Sequence, residues 1–422
     1  NAVTATWSGQ VIQSAEFSVD TFFFMSGFLA AFISLKKLRG KGALSAAKSA
    51  PLLYLNRWLR ITPVYMLILW FYTLVLPVMT KGPNDQFYGL QTRDCKKYWW
   101  YNFLYIQTVF PRGVNGEDVE MCYGVSWYLA DDMMFFWATP PLLVIFLLNK
   151  YIGLLFPFLL SCGSIAAAWV LAWKKQLRFS TFDQSLYTPF YYNPPWTRAP
   201  AYLFGVIFGM GYFIFKEKKM NIPRRLQGPV QIALASFAAV IFATTVYGPK
   251  KGTETVPSGF SYAENNAYVA LSKPAWVMGV GAMLFLCFEN LGGPVQWFLS
   301  LPIFGYMSKL TFGMYLLHPC TLALLFFNRV LPLRYTAVNF SVCFIAVLFG
   351  TMVMAFFVFL FIESPLASLQ GILMKRLMPK RSRKKQSKAL SHPSPINTED
   401  KYANISTKPL LGGKGLEYKE EK

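Results

Sequence analysis

A few ionisable residues set inside long apolar runs carry the chemical information of this sequence. Asp20 lies in SVDTFFFMSGFL (18–29), Asp131 and Asp132 in SWYLADDMMFF (126–136), His318 in LTFGMYLLHPC (310–320) and Glu363 in FIESPL (361–366). A charge in hydrocarbon is costly unless it is paired or lines a polar cavity, so each is a functional candidate by default. The plainer reading of Asp20 is a cap on the first turn of its helix. His318 shares the chain with only one other histidine, His392. An imidazole takes and returns a proton near neutral pH, and Pro319 frees a backbone carbonyl one turn earlier that can open a polar pocket beside it. Adjacent aspartates on a helix point about 100° apart; Asp132 is expected to face inward and Asp131 to serve the helix start. Glu363 alone reads as an interfacial carboxylate near Lys375 and Arg376. Arg57 and Arg60, in NRWLRITP, share a helix face. Two guanidiniums there can fork onto phosphates, although lipid-headgroup snorkelling explains the same spacing.

The elements that must hold these groups are membrane helices. Of 422 residues, 54% are hydrophobic and only 14% charged, where soluble domains carry about a quarter charged residues. Nine apolar runs approach or exceed the length of a membrane span: 17–35, 61–80, 126–148, 151–173, 199–215, 229–247, 271–290, 310–328 and 337–362. The stretch 291–306 is apolar but broken by Gly and Pro, and is expected to lie at the interface. The fold class is therefore an all-α polytopic membrane protein. Its expected divisions are a lead-in (1–16), an embedded domain (17–366) and a basic, Ser/Pro-rich tail (367–422) read as disordered.

A net charge of +21 would point a soluble chain towards nucleic acid. Here the basic residues flank apolar runs, and no nucleic-acid partner is expected. Lys and Arg concentrate in 36–60, 216–225 and 375–388, which nine spans place on one side. The positive-inside rule makes that side cytosolic, with Asn1 and the 81–125 loop on the outer or luminal side. Cys95 and Cys122 in that loop are candidate disulfide partners if the compartment is oxidising. By the assumed helix starts, Arg57 and Arg60 sit at the cytosolic edge. Asp20, Asp131 and Asp132 lie in the outer parts of their helices, and His318 lies about 12 Å from the cytosolic end of its own.

Taken in order from 18 to 366, these motifs resemble the membrane acyltransferase-3 family, in its animal, nose-resistant-to-fluoxetine-like branch. The resemblance implies a ten-helix domain that moves an acyl group from a cytosolic donor, acyl-CoA, to a hydroxyl on the far side. Arg57 and Arg60 match the family's donor-binding pair, while Asp20, Asp132, His318 and Glu363 match its motif carboxylates and histidine. The family's candidate catalytic histidine lies on a helix preceding SVDTFF. The sequence opens on Asn1 without an initiator Met and is expected to be a fragment lacking that helix.

The expected activity is transfer from acyl-CoA to a lipid or other small acceptor, by general-base removal of the acceptor's proton. Membrane lipids are the other expected partners, and no metal is expected. A lipid or small-molecule transporter using the same fold is the rival reading. A scaffold tolerant of losing Asp20 and Asp132 is a third.

Overall fold

The computed structural model describes residues 6–80, 95–110, 121–177, 187–250, 260–326 and 336–377. Its helices are α1 Trp7–Gln13, α2 Phe17–Leu38, α3 Ala43–Trp70, α4 Leu76–Met79, α5 Cys95–Phe103, α6 Trp127–Leu148, α7 Lys150–Lys175, α8 Pro195–Glu217, α9 Arg224–Tyr247, α10 Tyr262–Phe288, α11 Gly293–Leu299, α12 Pro302–Phe326, α13 Ala337–Val358 and α14 Ser364–Leu377. No strand occurs among the described residues, and nine helical segments there are long and apolar enough to cross a membrane. The protein is a multi-pass integral membrane protein.

Several starts are written in the sequence. Asn149 Oδ1 accepts from the Tyr151 and Ile152 amides at the head of α7, and Ser261 with Glu264 forms a capping box on α10. Other boundaries move. The span expected at 61–80 is the second half of a helix that begins at Ala43 and passes both Pro51 and Pro63. The helix expected to close at Glu363 instead runs from α13 through a π turn, Phe359–Glu363, into α14. Pro365 has no amide to donate back into the preceding turn, and the π turn lies where that ladder is interrupted. The compact unit ends at Ala367. Beyond it only the remainder of α14 is described, and 378–422, most of the expected tail, lies outside the described residues. In 291–306, α11 buries no residue and exposes Trp297, Phe298 and Leu299 before α12 begins at Pro302.

Two apolar clusters meet at α6. One joins the second half of α3 to Cys95, Tyr105, Tyr123, the start of α6 and Leu316 and Leu317 of α12. The other joins α2, the later turns of α6, α8 and Val277 of α10. Helices α9 and α13 turn Ile232, Val240, Phe344 and Phe349 outward, as lipid-facing helices do.

The α2–α8 contact positions the site. A Cβ on Gly27 would overlap the Tyr202 carbonyl, and one on Gly205 would overlap the Phe24 backbone. Only glycines allow two helix backbones to approach so closely. The small residues of MSGFL and GVIFGMG thus bring α2 and α8 together along their length.

Candidate active site

Backbone contact between α2 and α8 sets Asp20 against Arg198. Arg198 Nη1 donates to Asp20 Oδ2 at 2.6 Å, and neither side chain has any exposed surface. A π turn, Thr188–Tyr192, leads into α8. It presents the Tyr192 carbonyl to Arg198 Nε at 3.0 Å and lays the Tyr192 ring 4.4 Å from the guanidinium. Trp127 covers another side at 5.3 Å. Asp20 Oδ1 and Arg198 Nη2 have no protein hydrogen-bond partner. Asp20 is thus the anion of a buried ion pair, and no side-chain hydrogen bond caps the start of α2.

A second pair crosses the bundle below it. Arg57 Nη2 forms a short ion pair with Asp132 Oδ2 and also donates to Ser26 Oγ at 3.0 Å. The Ser26 hydroxyl donates to Asp132 Oδ1 at 2.6 Å. The guanidinium lies 4.5 Å over the Phe136 ring. Three helices, α2, α3 and α6, therefore close one polar triangle. The expected separation of Arg57 at one membrane edge from Asp132 towards the other does not hold. Because α3 starts at Ala43, Arg57 lies about 21 Å along it at 1.5 Å per residue, level with α6. Tyr54, one turn earlier, donates to the Trp137 carbonyl at 2.8 Å. The two arginines also diverge: the Arg57 side chain is 20% exposed, whereas Arg60 is exposed.

Two further ionisable groups, Asp131 and Lys273, are buried and form no ion pair among the described residues. Asp131 is fully buried, and neither carboxylate oxygen reaches a hydrogen-bond partner, although Thr108 faces it. The sequence reading assigned Asp131 to the helix start; both aspartates in fact face inward, Asp131 the deeper. Lys273 of α10 is 2% exposed, its Nζ has no protein hydrogen-bond partner, and it sits 3.5 Å over the Tyr191 ring. Asp131, Asp20, Glu16 and Arg198 all act on it electrostatically.

His318 is oriented by backbone. Pro319 cannot donate to the carbonyl four residues back, which is that of Tyr315, and the His318 Nδ1 lies 2.6 Å from this oxygen. Nδ1 therefore carries the proton, and Nε2 keeps the lone pair a base needs. Since α12 starts at Pro302, His318 lies about 24 Å along it, farther from that end than the assumed start implied. It stands beside Tyr315, whose hydroxyl donates to the Val125 carbonyl at 2.6 Å near the head of α6. Glu363 is half-buried in its π turn, with Oε2 unpartnered and Arg60 as its nearest electrostatic neighbour.

The sequence model of the acyltransferase-3 family, described as an acyltransferase domain, matches residues 2–362. The chain belongs to the acyltransferase-3 family. A curated relative, "Nose resistant to fluoxetine protein 6" of Caenorhabditis elegans, is 28% identical over 397 residues, covering 87% of this chain and 46% of that protein. The chain thus spans about half the length of the curated relative it matches. No solved structure matches.

Of the acyltransferase-3 motif residues, the structure brings Asp132 to Arg57 and leaves His318, Glu363 and Arg60 apart from that contact. Cys95 and Cys122 are buried in the same apolar cluster without a disulfide between them. The sequence reading missed Arg198, Lys273 and the hydroxyl role of Ser26. Arg198 sits in PPWTRAP and Lys273 in ALSKPAW, each a lone cation at the margin of an apolar run. A margin cation is ordinarily a snorkelling residue. The signal available was the prolines beside them, which mark backbone irregularity near a charge inside a membrane.

Proposed function

We propose that this acyltransferase-3 chain moves an acyl group from acyl-CoA to a hydroxyl of a lipid or other small acceptor. The donor binds at the end bearing the three basic segments, which we assign to the cytosol along with the C-terminal tail. The observation that carries the reading is the Arg57–Ser26–Asp132 triangle. It ties a hydroxyl of α2, a guanidinium of α3 and a carboxylate of α6 into one polar contact inside the bundle, where an acceptor hydroxyl can be oriented.

In the reaction, the acceptor oxygen attacks the thioester carbonyl and its proton passes to a base. The carbon–sulfur bond breaks, and the leaving thiolate takes the proton back, so that free thiol and ester are formed. His318 Nε2 has the lone pair for that transfer. Arg60 is exposed and open to a donor phosphate, and Arg57 with Ser26 fixes the Asp132 carboxylate to orient the acceptor.

The test is thiol release from a set of acyl-CoAs by membranes containing the full chain, against Asp132→Asn and Arg60→Ala. Loss of turnover in Asp132→Asn with raised KM for acyl-CoA in Arg60→Ala is the expected result. Unchanged turnover in Asp132→Asn removes the triangle from the reaction. Lipid movement without thiol release would decide for a transporter.

A further inference from the structure

Helix α12 has a weak point at Pro319, and two tyrosines close over it. The proline leaves the Tyr315 carbonyl without its helical donor and its ring presses on that oxygen, so this turn is free to bend. The peptide units of residues 315 and 316 are nevertheless held from outside the helix. Tyr123 donates its hydroxyl to the Leu316 carbonyl, and Cys320 Sγ lies 3.9 Å from the same hydroxyl. Tyr315 sends its own hydroxyl the other way, onto the Val125 carbonyl at 2.6 Å. Each segment gives a hydroxyl to the other's backbone. The two bonds form a reciprocal clasp between α12 and the turn at 123–126.

That turn is a firm anchor. The Ser126 amide donates to the Tyr123 carbonyl at 2.9 Å, and the Ser126 hydroxyl donates to the same oxygen at 2.6 Å. Gln107 Nε2 donates to the Ser126 carbonyl at 3.2 Å. The Tyr123 ring packs 4.4 Å from that of Tyr72, in the π turn that follows α3. Tyr123, Ser126 and Leu316 are all buried.

What the clasp holds is the acceptor of His318. The Tyr315 carbonyl lies 2.6 Å from Nδ1, and the Tyr315 ring stands 5.8 Å from the imidazole. The bond made at one ring nitrogen decides which of the two carries the proton. When Nε2 takes a second proton the ring becomes a cation, and the Nδ1–H bond to the carbonyl becomes charge-assisted, shorter and stronger. A carbonyl already in place stabilises that charge without having to reorganise.

We propose that Tyr123 and Tyr315 are positioning residues for His318, holding the Tyr315 carbonyl against Nδ1–H so that Nε2 stays unprotonated and fixed in place. Calling Nε2 the base rests on the acyl-transfer reading; the placing of the ring rests on the three hydrogen bonds alone.

His318 shares the chain with His392 alone, so nitrogen-15 NMR of the histidine-labelled full chain in lipid nanodiscs reads its ring directly, with His392→Asn to assign it. At a pH where the ring is neutral, the wild type is expected to show the Nδ1–H tautomer alone. Tyr315→Phe and Tyr123→Phe each remove one hydroxyl and should bring in the Nε2–H tautomer. In both variants kcat for thiol release should fall about tenfold or more, with KM for acyl-CoA unchanged. Tyr306→Phe, at an exposed tyrosine of the same helix, should change neither reading. A clasp that only packs helices would lower stability and leave the tautomer alone, so a single tautomer kept in both variants overturns the proposal whatever turnover does. A mixed or Nε2–H ring in the wild type overturns it too, and needs no variant to fold. A tautomer that shifts while thiol release keeps its wild-type rate supports the clasp and removes His318 as the base. Absence of thiol release in the wild type removes the acyl-transfer reading, and the tautomer then decides for or against the clasp by itself.

Discussion

Two arginine–carboxylate pairs cross the same bundle in different settings. Asp20–Arg198 is sealed, with both side chains fully buried and aromatic rings around the guanidinium. Arg57–Asp132 is 20% and 10% exposed and shares its charge with a serine hydroxyl. A sealed pair has no solvent to replace a lost partner, so its role is to fix helices. A partly exposed pair, with a hydroxyl that can turn, can exchange partners during a reaction. The difference separates the group that builds the site from the group that works in it.

The largest test of that separation is Asp20→Asn, which leaves Arg198 charged in the interior. It is expected to cost about 3–5 kcal/mol, read as loss of monodisperse protein or a lowered unfolding temperature in detergent. Arg198→Gln added to Asp20→Asn should restore part of it. Next comes Gly205→Ala, whose methyl must push the Phe24 backbone aside. It is expected to cost about 1–3 kcal/mol by overpacking, again as a lowered unfolding temperature. Ser26→Ala should cost only about 1 kcal/mol of stability while reducing thiol release more than Asp20-independent packing changes do. Lys150→Ala, which removes an exposed pair with Glu217, sets the floor at no more than about 1 kcal/mol. If Asp132→Asn proves as damaging to folding as Asp20→Asn, the two pairs do the same work and the contrast collapses.

Much of the architecture was readable because membrane helices announce themselves by length and apolarity. Over their described residues the nine runs are helical, and α2 meets α8 at Gly27 and Gly205. Pro319 was equally informative: the carbonyl it releases is the one that holds His318. Pairing was not readable. Depth was counted from assumed helix starts, and α3 begins far earlier than its apolar half, so Arg57 was assigned to an edge it does not occupy. Lys273 and Arg198 sit where a lysine or arginine usually reaches for headgroups, and only the packing of other helices over them turns them inward. Asp131 and Asp132 differ by one position, and the partners that Asp132 meets lie 75 and 106 residues away in the sequence.

The glycine contact between α2 and α8 also has a mechanical meaning. At Gly27, Gly205 and Gly209 the two main chains touch directly, and the Phe24, Phe28 and Phe208 rings pack around those points. These two helices translate as one body, a keel that carries Asp20 and Arg198 with it. Any passage for a substrate has to open on the other flanks, where α6 and α10 present Asp131 and Lys273. A cysteine crosslink between α2 and α8 should then be silent, while one tying α10 to its neighbours should arrest turnover.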